Sequence, residues 1–176
     1  MVKLSQILCL IILVALAGVT GCKDREPAIE ILFETMERKD LSGTGEYYED
    51  KEPKLVVITG PEQADILGNT ISPEAQAQLR NLDFDQHVAI VAFQGWRPVI
   101  PTPRSGVEIQ RIEKRGNTIT VFAQLYEPVE DLVKISLVIS PYHLVKIQKG
   151  GDIQGEFKFI LKADGKSVAR QTHFIP

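Results

Sequence analysis

The side chains best suited to nucleophilic, acid–base or metal chemistry in this chain are three histidines, His87, His143 and His173, and two cysteines, Cys9 and Cys22. A zinc site or a hydrolytic base announces itself as HExxH, a Cys/His pair or GxSxG, and none of these occurs. No glycine-rich loop joins a strand to a helix with the spacing that cradles a phosphate. The acidic pairs Glu130-Asp131 and Asp83/Asp85 sit outside any recognisable calcium loop and read as solvated loop charge. His143 falls on the apolar phase of its strand, where a satisfied core or boundary histidine is expected rather than a ligand. His87 and His173, at strand ends, are expected to be solvated. The sequence therefore predicts no catalytic residue, no metal and no cofactor, and a protein that is not an enzyme.

The segment with the most unusual surface chemistry is 95–106, GWRPVIPTPRSG. It holds the only Trp of the chain beside Arg97, and prolines at 98, 101 and 103. Prolines restrict a loop before it binds and so reduce the entropy lost on binding. Trp and Arg are favoured interface anchors. Trp96, Arg97, Val99, Ile100 and Arg104 are therefore candidate protein-contact residues. The competing reading makes Trp96 a cap on the end of the fold. The net charge of −3 argues against a nucleic-acid partner. The basic residues at 111–115 are expected to form a solvated sheet edge.

The cysteine thiol with a chemical context is Cys22. Lys3 precedes an uncharged apolar run at 7–19, the layout of a secretory signal. The run is short for a membrane span, which needs about 20 residues. It ends in Val19-Thr20-Gly21-Cys22, which resembles a bacterial lipobox: an aliphatic residue, two small residues that fit a peptidase cleft, then Cys. Such a thiol is alkylated with diacylglycerol, and cleavage before it frees an amine for a further acyl chain. Each buried methylene adds roughly 0.8 kcal/mol, so two or more chains anchor stably. Residues 1–21 are thus expected to be a lipoprotein signal peptide and Cys22 the lipidation site. The protein is expected in the cell envelope, lipid-anchored on the extracytoplasmic side. The alternative is an uncleaved signal anchor. Cys9 leaves with the signal, so the mature chain has no second cysteine for a disulfide.

The elements that must position these groups follow from periodicity. Residues 22–54 are expected to comprise the lipidated N-terminus, a linker and a first strand, IEILFETMER, followed by an acidic Gly-containing loop at 40–54. Residues 55–176 are expected to form a β-rich domain. LVVIT is a buried strand. Two short helices follow, one opened by Gly60-Pro61 and stopped at Gly68, the other capped by Ser72 and ending near Asn81. VAIVAF, at 88–93, is apolar on both faces and must be covered on both. A phase slip between Ile109 and Ile112 predicts a bulge near Gln110 or Arg111. Arg115-Gly116-Asn117 and Ala163-Asp164-Gly165-Lys166 predict hairpin turns. Pro141 interrupts the alternation at 133–147, which predicts either one edge strand with a break or two short strands. The fold class is α+β: a β-rich sandwich or partly open barrel with two short helices before the main strands.

FDQHVAIVAFQG, then VEIQRIEKRGNTITVFAQLYEP, then SPYHLVKIQK resembles the C-terminal domain of the protease-complex subunit PrcB. The resemblance covers 84–149, and Ser140-Pro141-Tyr142 is its most specific motif. The chain departs from the family after the first of these strands. A Gly-Gly-Tyr-like turn is usual there, and the longer proline-rich loop with Ser105-Gly106-Val107 takes its place. The resemblance implies a non-catalytic exported β domain and an envelope-protein partner, a protease complex for the family's named member. The alternative is a small-molecule or protease-inhibitor binding module of the same β architecture.

Overall fold

A computed structural model describes residues 26–39, 51–98, 106–126 and 138–176. The stretch that alternates at 29–39 is extended, as expected, but forms two strands that serve different sheets. Ile29–Ile31 (β1) and Phe33–Lys39 (β2) meet at Leu32, where the chain steps from one sheet to the other. The acidic loop expected next lies outside the described residues over 40–50.

Lys54–Ile58 (β3) leads through Gly60 into Pro61–Leu67 (α1). Proline suits the first turn, whose N–H groups have no helical partner. Gly68 stops the helix at φ +46°, a conformation that costs glycine little. Pro73–Arg80 (α2) begins at Ser72, whose hydroxyl accepts the Ala75 N–H at 3.0 Å, and it ends at Asn81. The remaining strands are His87–Phe93 (β4), Arg97–Pro98 (β5), Gly106–Arg115 (β6), Thr118–Tyr126 (β7), Val138–Ile139 (β8), Tyr142–Gln148 (β9), Gly155–Ala163 (β10) and Lys166–Ile175 (β11).

These strands build an α+β sandwich, not a closed barrel. One sheet has the order β1-β6-β7-β10-β11, the other β2-β9-β4-β3, and β5 with β8 makes a two-stranded ribbon. All the pairings are antiparallel except β7 with β10, which run parallel from Lys158 opposite Thr118 to Ala163 opposite Ala123. The main core lies between the sheets. Val88, Ile90, Val145 and Ile147 of one face Ile112, Ile119, Val121, Phe157, Phe159 and Leu161 of the other. A second core lies behind the four-stranded sheet. There Ala89, Val91, Phe93 and Leu144 meet Ala64, Leu67, Ile71, Ala75 and Leu79 of the helical segment. This explains the absence of polar residues in VAIVAF. The five-stranded sheet covers one face of β4 and the helices cover the other.

The bulge falls where the phase slip places it, between Ile109 and Arg111. The turns at Gly116 (φ +53°) and at Asp164-Gly165 (φ +49° and +76°) close the β6–β7 and β10–β11 hairpins. Of the two readings at Pro141, the two short strands are found, β8 and β9, with 133–137 outside the described residues; the edge placement is not, because β9 is interior, between β2 and β4. Pro141 stands just outside this strand, so no ladder bond is lost, and its carbonyl accepts the Gln94 N–H at 3.0 Å. One expectation is corrected: 111–115 is not a free sheet edge, because β1 pairs with β6 from Ile112 to Lys114. The interior places of β6 and β9 have one cause, the recruitment of the 29–39 segment into both sheets.

Candidate functional site

Gly95 sets the corner that carries Trp96 and Arg97. Its φ is +84°, and a Cβ there would overlap the Lys51 carbonyl oxygen. The 51–53 segment therefore packs directly on the backbone as the chain leaves β4. The ring of Trp96 is half-buried, with the Lys51 ammonium 4.6 Å from its centroid, a cation–π contact. The Arg97 guanidinium donates to the carbonyls of Lys51 at 2.9 Å and Trp96 at 3.0 Å. Gln94, just before the corner, donates from its side-chain amide to the Tyr126 carbonyl at 3.0 Å. Trp96 and Arg97 thus stand together on a corner buttressed by Lys51 and continuous with the β5–β8 ribbon. The partial burial of Trp96 gives it a packing role while leaving part of the ring in solvent. Cys22, Val99, Ile100 and Arg104 lie outside the described residues.

His143 is a buried polar link between the sheets, 3% exposed. Its Nδ1 accepts the backbone N–H of Ile109 at 2.8 Å, which fixes the proton on Nε2, and Nε2–H donates to Thr35 Oγ1 at 2.9 Å. Ile109 is available because β1 covers β6 only from Ile112 to Lys114, and the bulge lies immediately beyond Ile109. Burial holds the imidazole pKa down to about 4. Arg38 pushes the same way and Glu108 opposes it. Those two form an ion pair at 3.0 Å across the same seam, and Tyr126 donates to Glu108 at 2.8 Å. The expectation of a satisfied core histidine holds.

The other two histidines are less solvated than expected. His173 is half-buried at the opposite seam, its Nε2 3.1 Å from Thr59 Oγ1, and burial lowers its pKa. The Nδ1 of His87, also half-buried, lies 3.2 Å from the Asp83 carbonyl.

Tyr142, of the Ser-Pro-Tyr motif, is wholly buried. Its hydroxyl accepts the Ser72 N–H at 2.9 Å and donates to Glu37 at 3.0 Å, and the Ser72 hydroxyl donates to the same Glu37 oxygen. Burial raises the phenol pKa, against the bond from Ser72. One residue thus ties β9, β2 and the N-terminus of α2 together. Ser72, Tyr142 and Glu37 resemble a proton-relay set in type. Tyr142 and Ser72 are buried, while Glu37 is only half-buried and also pairs with Lys39 at 3.6 Å, so the three hold β2, β9 and the start of α2 together.

An open cleft of about 690 Å³ lies between α2 and β2. Glu34, Thr35, Asn81, Asp83, His87 and Lys146 supply its polar lining, and Lys146 pairs with Glu34 at 3.1 Å. Among the described residues, no three His, Cys, Asp or Glu side chains converge as a metal site would require. No described helix is long and apolar enough to cross a membrane.

Sequence reasoning missed Lys51, Glu37 and the His143–Ile109 bond. Their partners are far apart in sequence, and only the bulge left a local trace. Comparison with protein-family models, curated proteins and solved structures finds no match.

Proposed function

We propose that this chain is a lipid-anchored, non-catalytic extracytoplasmic protein that binds or scaffolds another envelope protein, in the manner of a PrcB-like subunit of a protease complex. Cys22, at the end of the apolar 7–19 run, is the anchor. The observation that carries the binding reading is the corner at 95–97, where a half-buried Trp and an Arg are packed against the Lys51 ammonium and carbonyl just after the left-handed Gly95. A preformed aromatic–guanidinium pair loses little entropy when a partner covers it. The polar cleft between α2 and β2 supports the alternative, a small-molecule or protease-inhibitor binding module.

Affinity purification from native membranes, comparing wild type with a folded Trp96→Ala variant, separates the two. Loss of a co-purifying envelope protein from the variant is the expected result. Equal recovery removes the corner as the contact and leaves the cleft as the surface to mutate.

A further inference from the structure

The described chain exposes few large aliphatic side chains, and two of them flank one corner. Leu32 is 85% exposed and Ile29 is 54% exposed. They border a groove of about 340 Å³ lined also by Ile31, Ile153, Lys114 and the Gly150-Gly151 loop. Nothing fills the space over that loop, where a Cβ added at either glycine would meet no atom within 4 Å. An exposed Leu at the step between two sheets contributes nothing to either core. Lys114 beside Glu30 and Asp152 leaves the rim with one net negative charge.

We infer that this corner is the face the domain lays against the lipid surface. The inference rests on the reading of Cys22 as the anchor. Ile29 follows Cys22 by seven residues. Fully extended, that tether spans at most about 25 Å, so the β1 corner is the part of the domain held nearest the bilayer. Aliphatic side chains in such a place enter the boundary between headgroups and acyl chains. A rim with one net negative charge gains nothing from anionic lipid, so apolar insertion makes the contact. Raised salt therefore leaves it in place. The Trp96 corner then remains free for a protein partner.

The test uses the full-length chain, acylated in cells and reconstituted into phosphatidylethanolamine/phosphatidylglycerol vesicles. Leu32→Cys is labelled with an environment-sensitive fluorophore. Lys166→Cys is the control, at the exposed β10–β11 turn at the other end of the five-stranded sheet. The expected result is a blue shift at position 32 with quenching by lipids spin-labelled near the headgroup, persisting in high salt, and neither effect at 166. An unshifted, unquenched signal at 32 on a protein that carries radiolabelled palmitate overturns the membrane face while leaving the anchor intact. A blue shift without lipid quenching also overturns it, because protein then covers the corner. Absence of palmitate, or palmitate that survives Cys22→Ser, overturns the anchor and the membrane face with it.

Discussion

Lowering the pH from 7.5 to 4 is expected to remove about 3 kcal/mol of folding stability through His143 alone. The imidazole pKa falls from its ordinary 6.5 to about 4 on folding. Between those values the unfolded chain binds a proton that the folded chain refuses, so stability rises with pH across that window. The contribution is complete above pH 6.5, is lost progressively as pH falls, and is gone near pH 4. The geometry adds a reason beyond burial. A proton on Nδ1 would face the Ile109 N–H, which that nitrogen now accepts, and would break the link between β9 and β6. His173, with its pKa lowered by burial, acts in the same direction. Denaturant titrations of wild type and His143→Gln at several pH values check this. The variant is expected to be less stable at pH 7.5 and to have a flatter profile from 6.5 to 4. Parallel profiles would show that His143 is not the titrating group.

Gly95→Ala is expected to cost about 3 kcal/mol, combining a strained positive φ with a backbone collision. The new methyl would overlap the Lys51 carbonyl oxygen and come within 3.0 Å of the Glu52 oxygen. Both are main-chain atoms and cannot swing aside as a side chain would. Relief requires moving the 51–53 segment, which carries the Lys51 carbonyl held by Arg97 and the ammonium over Trp96. Gly150→Ala is the matched control. Its φ is ordinary and its Cβ would meet nothing within 4 Å, so a change within about 0.5 kcal/mol is expected. Chemical denaturation of the two variants checks the contrast. Equal midpoints would mean that the corner is soft, and that its preformed geometry cannot favour binding.

The features legible in the sequence are those whose cause is local. Ser72 caps α2 with its own hydroxyl, Gly68 ends α1 through its own φ, and the slip between Ile109 and Ile112 marks a bulge in its own strand. The unbroken apolar run at 88–93 is legible for a similar reason, since a strand with no polar face can only be interior. What depended on a distant partner was not legible. The strand at 29–39 reads correctly as extended, yet nothing in its residues says that Leu32 divides it between two sheets. The same segment turns 111–115 from a free edge into an interior strand and gives β9 its second neighbour. For the candidate contact, the residue types of Trp96 and Arg97 were legible, but the Lys51 buttress was not, because a cation–π contact between residues 45 apart leaves no pattern in either segment.

The parallel pairing of β7 with β10 bears on the order in which this chain is made. The last two strands in sequence, β10 and β11, supply two of the five strands of their sheet and bring Phe157, Phe159 and Leu161 to the core. Until 155–175 has been synthesised, β7 presents an open ladder edge and the main core lacks part of one wall. A hairpin with its neighbour β6 forms early, but closure onto β7 must bridge a long stretch of chain, and such non-local pairings form slowly. A chain that folds as it is made would thus present an unclosed sandwich with an adhesive strand edge until β10 and β11 arrive.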